Sequence, residues 1–484
     1  MSSPTTEPVG VRSHRTARGA AIRGTAEVAG KLATLAWMVA AARVLSSTEF
    51  GVVSYGLATM MFVMAFPSWG FDAGIVRRGA AEPDHLDRLY AGGVRWKTLI
   101  ALPLVTITAA VVLWNQDDPA SRAAVIIVLL AVIPELWSQS IRSASSARQQ
   151  AGRVSTALVA QRLVTGLLVV GALLTEPTVV TVASAYLVGT VLGWAAHRVA
   201  LHRIGVRPPP GAPTRGDLDR VARGTWLIGL NGMLLMLLMR VDVLFLEAMQ
   251  GAAAVAVYAL AYRLLETVLF VTYAVNQAVF PVLSASREPA LWRRGYERSL
   301  SVGGFVYLPF MAVCLVSGPE LIGLLFGDRY AAEGGQVLAW LAPSPLLFAV
   351  AFFASILLMA MEAPRPMLIT TGVATVVNIG LNAALIPVWS GGGAAVATTI
   401  AYALQAVGMQ LVLRRLGIVP RLLRSLLPGL VASGALAVAL WFVPWPLVAR
   451  LPLGGLVYLG TWMLVVGRVD PAQRDVLVGL VRRH

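Results

Sequence analysis

Apolar stretches of about twenty residues recur along almost the whole chain, separated by short polar segments. That length matches the ~30 Å hydrocarbon layer crossed by a helix rising 1.5 Å per residue. Fourteen spans are expected, at 20–44, 51–74, 94–114, 122–143, 154–174, 178–200, 222–248, 254–280, 299–318, 335–361, 366–388, 393–415, 422–443 and 450–468. No period-two alternation of the kind a transmembrane β-barrel needs is found. The fold class expected is an all-α polytopic membrane protein. Prolines inside spans, such as Pro103, Pro134, Pro309 and Pro343, are candidate kinks.

Polar segments refine the division. The longest interior one, 201–221, includes Arg207-Pro208-Pro209-Pro210-Gly211 and follows the sixth span. Pro-rich charged segments act as semi-rigid linkers. The expected organisation is a polar cytoplasmic tail over 1–19, expected to be disordered, and a six-helix bundle over 20–200. A linker follows over 201–221, a second six-helix bundle over 222–415, and two further helices with a tail over 416–484. A faint internal repeat, ARVLSSTEFGVVSYGLA against LEAMQGAAAVAVYALA, agrees with paired halves. Transporters are often built from such repeats.

Composition changes the picture less than charge placement does. Charged residues make up 13% of the chain, against ~25% in soluble domains. The formal charge of +15 would suggest nucleic acid in a soluble protein. Here the basic residues are partitioned by loop. With the N-terminus on the cytoplasmic side, Arg43, Arg122, Arg329 and Arg450 fall in outer loops, and Lys31, Arg162, Arg240 and Arg263 lie within spans. The rest of the 39 fall in the tails and in loops after even-numbered spans. This is the positive-inside pattern, with both termini cytoplasmic, and a misplaced span would scramble it. Nucleic acid is therefore not an expected partner. The single cysteine, Cys314, excludes a disulfide framework. No P-loop, dinucleotide fingerprint, zinc His pair or other catalytic motif is present, so neither enzyme activity, a cofactor nor a metal site is expected.

Several quoted stretches, in order, carry a resemblance: ARVLSSTEFGVVSYG, GFDAGIVRR, MRVDVLFLEAMQGAAAVAVYALAYRL, LLFGDRYAAEGGQVLAWLAP and NAALIPVWSGGGAAVATTIAYAL. Together they resemble the polysaccharide transport branch of the multidrug/oligosaccharidyl-lipid/polysaccharide (MOP) exporter superfamily, the Wzx-type flippases of lipid-linked oligosaccharides. The resemblance runs from about Ala20 to Arg415 and implies two six-helix bundles around a cavity that opens alternately to each side. More distantly the chain is similar to lipid II flippases, whose cavity arginines are matched by Lys31 and Arg263. Trp37 stands where a second first-helix arginine is usual, and no arginine pair matches in the second span.

The charges within spans are the candidate site. Arg240 and Asp242 are two apart, so on a helix they point ~200° apart and cannot neutralise each other. Each costs ~2.5–3.5 kcal/mol at mid-bilayer unless another helix or water meets it. Arg263 and Glu266 share a face at i,i+3, and Glu27 and Lys31 at i,i+4. Lys31, Arg240 and Arg263 are expected to bind an anionic head group, with Asn378 and Asn382, also i,i+4, as candidates for sugar hydroxyls. Asp242, Glu266 and Glu27 are candidates for coupling or gating. Asp72 and Glu135 are expected to be hydrated near cytoplasmic ends, and Arg162 to snorkel to the interface. The expected function is export of a polyprenyl-pyrophosphate-linked glycan across the cell membrane. Membrane lipids, H⁺ or Na⁺, and a glycan polymerase or glycosyltransferases are the expected partners. A cation-coupled multidrug exporter is the alternative, and a membrane glycan polymerase or glycosyltransferase the alternative from another class.

Overall fold

The computed structural model describes residues 30–207, 216 and 225–469. Among them the chain is helical throughout. Helix α1 covers 30–44, followed by α2 (Ser47–Ser68), α3 (Phe71–Ala81), α4 (Leu86–Asn115), α5 (Pro119–Leu130), α6 (Val132–Ala147), α7 (Ala151–Thr175) and α8 (Val179–Arg203). The second part holds α9 (Trp226–Gln250), α10 (Ala252–Val268), α11 (Phe270–Ser284), α12 (Pro289–Phe326), α13 (Ala331–Leu341), α14 (Ser344–Ala360), α15 (Pro364–Arg415), α16 (Leu422–Phe442) and α17 (Leu447–Val469). Twelve helices among the described residues are long and apolar enough to cross a membrane. They account for all expected spans after the first, because α15 carries two of them.

The 52 residues of α15 are two arms joined at Ser390, whose φ of 48° and ψ of −128° are far from helical. Gly393 follows, where a Cβ would lie 2.4 Å from the Leu385 carbonyl oxygen, so only glycine lets the chain turn back so tightly. A second break, at Ser317 in α12, precedes Pro319. Of the prolines expected to kink helices, Pro134 and Pro343 stand at the α5–α6 and α13–α14 breaks, whereas Pro103 and Pro309 are accommodated inside helices. Loop chemistry sets several starts. Ser46 and Glu49 form a reciprocal capping box on α2. Asp118 caps α5, accepting from the Ser121 hydroxyl (2.7 Å) and backbone N–H (2.8 Å), bonds that hold its carboxyl below the usual carboxylate range.

The described residues form two compact units. The first holds residues up to Val44 and Thr59–Met233, the second Leu45–Ala58 and Leu234 onward. The first is centred on Phe71, Ile75, Leu86, Ile141 and Leu201. Its α7–α8 contact depends on Gly189 and Gly193, a G-x-x-x-G pair that rests on Thr165 and Gln161. The second is centred on Tyr296, Tyr307, Leu357, Met409 and Leu413, with α16 and α17 packed on α12 through Ala432, Leu436 and Tyr458. There Gly51 meets the backbone of Ala252 so closely that any side chain would collide.

Two contacts between loops agree with the expected alternation. Arg329 donates to the Leu45 carbonyl (2.5 Å), joining the α1–α2 and α12–α13 loops, and Arg287 reaches Glu362 (3.5 Å), joining the α11–α12 and α14–α15 loops. Arg450 of α17 pairs with Glu320 of α12, and Arg148 after α6 reaches Asp87 in the first turn of α4 (3.9 Å).

Candidate functional site

In the second unit, α9 and α10 form a hairpin turned at Gly251 (φ 80°). Residues nine before the turn and seven after it stand at similar depth. This brings Asp242 to Tyr258. The Tyr258 hydroxyl donates to the Asp242 carboxylate, Thr398 Oγ1 of α15 lies 3.3 Å away, and the Val243 N–H donates at 2.8 Å. Asp242 is fully buried. Arg240 turns the other way, as the ~200° offset demands. It pairs with Glu266, and its guanidinium lies 5.3 Å from the centre of the Tyr262 ring. Glu266 also takes Arg263, at 3.0 Å. Two guanidinium groups thus share one carboxylate, and exposure rises along the chain of charges: 7% for Arg240, 16% for Glu266 and 22% for Arg263.

Asn378 and Asn382 lie on the first arm of α15, both fully buried. That arm runs alongside α9, with Thr375 bonded to the Leu234 carbonyl and Gln250 to that of Ile386. The two amides bond each other at 3.0 Å, leaving Asn378 Nδ2 and Asn382 Oδ1 without a hydrogen-bond partner among the described residues.

In the first unit Lys31 is half-buried on α1. The side chain of Arg162 lies against Gly30, close enough that a Cβ there would meet Arg162 Cδ at 2.6 Å. The Arg162 side chain therefore packs on α1. Glu27 lies outside the described residues.

A second polar cluster in this unit was not anticipated. Lys97 is fully buried and pairs with Asp72 at 2.6 Å, and Ser143 donates to the same carboxylate at 3.1 Å. Beside it Glu135 accepts from Arg142 (2.9 Å) and from Gln161 (2.9 Å). The expectation that Asp72 and Glu135 are simply hydrated is thus corrected: both are bound by side chains of neighbouring helices. By charge Lys97 counts with the loop residues, although it falls in the first turn of the span expected at 94–114. The helix starts at Leu86, which places Lys97 three turns inside it. A lysine leading into the apolar run 99–105, with an aspartate one span earlier, is the available signal. Among the described residues no group of three or more His, Cys, Asp or Glu side chains could hold a metal ion.

Comparisons with known proteins agree with this architecture. A model of the family described as polysaccharide biosynthesis protein matches residues 16–287, and one described as lipid II flippase MurJ matches residues 152–449. The chain is 26% identical over 246 residues to the probable flippase AglR of Haloferax volcanii, a match covering 48% of this chain; the chain thus spans about half the length of that curated relative. Among solved structures, lipid II flippase MurJ in an inward closed conformation superposes with a TM-score of 0.75 at 13% identity, over 92% of this chain and 99% of that one. An inward-facing multidrug resistance MATE family transporter of the MOP superfamily gives a TM-score of 0.63 at 15% identity, over 82% and 98%. These two likenesses establish the shared fold. With more than half of its residues matched by each family model, this multi-pass membrane chain belongs to the polysaccharide biosynthesis protein family.

Proposed function

We propose that the chain is a flippase that moves a polyprenyl-pyrophosphate-linked oligosaccharide across the cytoplasmic membrane by alternating access, for cell-surface polysaccharide biosynthesis. The observation that carries this reading is the Arg240–Glu266–Arg263 chain within a family of polysaccharide biosynthesis proteins. Two cations share one anion, and the outermost, Arg263, is the most exposed. A guanidinium fork fits phosphate oxygens in two-point contact. Arg240 and Arg263 both belong to the second unit; Lys31 is a basic residue of the first. Arg240 acts mainly by keeping Glu266 neutralised, so that Arg263 can exchange part of its bond for a phosphate.

An inside-negative potential favours outward passage of the anionic head group by ~2.3 kcal/mol per charge per 100 mV. Asp242 and Glu266 are the candidate carboxylates for coupling to H⁺ or Na⁺, and both termini are assigned to the cytoplasm. The names of the AglR and MurJ relatives support translocation without enzymatic chemistry. The test is export of surface glycan by Arg263→Ala, normalised to protein abundance. A fall of about tenfold or more is expected, with Arg263→Lys partly restoring it. Unchanged export would remove Arg263 from the site. Drug resistance on overexpression, with glycan export intact on deletion, would transfer the chain to the multidrug exporters.

A further inference from the structure

The hairpin between α15 and α16 reads RRLGIVPRLLR over 414–424. Its shape is fixed by a helix-ending motif. Gly417, with φ of 78°, lets Ile418 N–H return to the Leu413 carbonyl (2.9 Å) and Gly417 N–H to that of Arg414 (3.0 Å). Ile418 is buried in the same core as Trp292 and Tyr296 of α12. The start of α16 is tied down by Glu297, which accepts from Arg421 N–H at 2.8 Å, and by Ser301, which donates to the Ser425 carbonyl at 3.1 Å. Arg424 reaches the Val469 carbonyl at the end of α17 (3.2 Å). One end of four helices therefore gathers Arg298, Arg414, Arg415, Arg421, Arg424 and Arg468, all exposed. Between 289 and 300 and between 412 and 425 the sequence offers one acidic residue, Glu297.

Charge alone would suit any polyanion, but apolar exposure narrows the partner. Leu416, Val419 and Leu423 are 44%, 55% and 69% exposed and alternate with the arginines along the hairpin. Leu464 on α17, one turn from Arg468, is 70% exposed. Guanidinium groups adjoining uncovered aliphatic side chains, at the ends of membrane helices, match a phosphate attached to acyl chains. We propose that this end of α12, α15, α16 and α17 is a binding site for an anionic phospholipid, its phosphate held by Arg421 and Arg424 and its chains lying on Leu416, Val419 and Leu423. The site is separate from the Arg240–Glu266–Arg263 chain and does not depend on the transport reading.

The test uses the full chain purified in detergent and observed by native mass spectrometry while it is titrated with phosphatidylglycerol or phosphatidylcholine of identical acyl chains. Phosphatidylglycerol should bind at least about tenfold more tightly, the scale expected for two or more arginines near an anionic head group. Arg421→Gln with Arg424→Gln should lower that affinity to the phosphatidylcholine level, and Arg421→Lys with Arg424→Lys should retain it. Arg414→Gln with Arg415→Gln, which weakens the other side of the hairpin, serves if the first pair does not fold. Equal binding of the two lipids by the unaltered chain, or undiminished preference in both glutamine pairs, overturns the proposal. Displacement by inorganic phosphate at the same concentration would overturn the lipid assignment in favour of a free-anion site.

Discussion

Two buried charges a residue apart look like an error until their partners are found. Arg240 meets Glu266 and Tyr262, while Asp242 meets Tyr258 and Thr398. The sequence made the problem visible, because an i,i+2 pair cannot close on itself, but not every solution. Glu266 and Tyr258 lie one span away and could be guessed from hairpin geometry; Thr398 is 156 residues on, and nothing local points to it. Lys97 and Asp72 show the opposite failure, since the lysine, two residues after Arg95, counts among the loop charges and so raises no question. Removing one member of such a pair strands the other. Lys97→Met should destabilise the purified protein by ~3–5 kcal/mol, and adding Asp72→Asn should recover most of the loss. Thermal unfolding midpoints of the two single variants and the double variant measure this. Additive losses would mean the pair contributes nothing as a pair.

Helix limits and packing were legible to different degrees. Hydrophobic length located every span after the first, because a bilayer enforces one length on all of them. It could not reveal that spans eleven and twelve run on as two arms about Ser390, since the break rests on a backbone conformation and not on polarity. Helix pairing was also hidden. Gly189 and Gly193 seat α8 on Thr165 and Gln161, and Gln161 in turn holds Glu135. Gly193→Leu should therefore overpack this contact by about 1–3 kcal/mol and loosen Glu135 at the same time. Gly171→Ala is the control, because a Cβ there meets nothing within 4 Å. A lower unfolding midpoint for Gly193→Leu, with no loss for Gly171→Ala, is the expected outcome.

For the molecule as a whole, the loop charges set the expected topology. Arg329 beside Leu45 joins loops that an odd–even count assigns to one face, and Arg287 beside Glu362 joins loops assigned to the other. The orientation of those faces follows from the positive-inside rule and is open to direct measurement. Cys314, the single cysteine, is buried and leaves a quiet background. In whole cells an impermeant maleimide should label Asp117→Cys but reach Glu288→Cys only after permeabilisation. The reverse pattern would invert the topology and the direction of transport proposed here. Which glycan is carried was not legible, because the residues that would select one sugar over another show no spacing rule comparable to that of a helix or a charged loop.

The α9–α10 hairpin bears on how the protein is made. Arg240 finds Glu266 only 26 residues later in the chain, and Asp242 finds Tyr258 only 16 later. Both costly groups therefore have company before α11 leaves the ribosome. The hairpin can thus enter lipid with both costly groups already partnered, a saving that α9 on its own does not have.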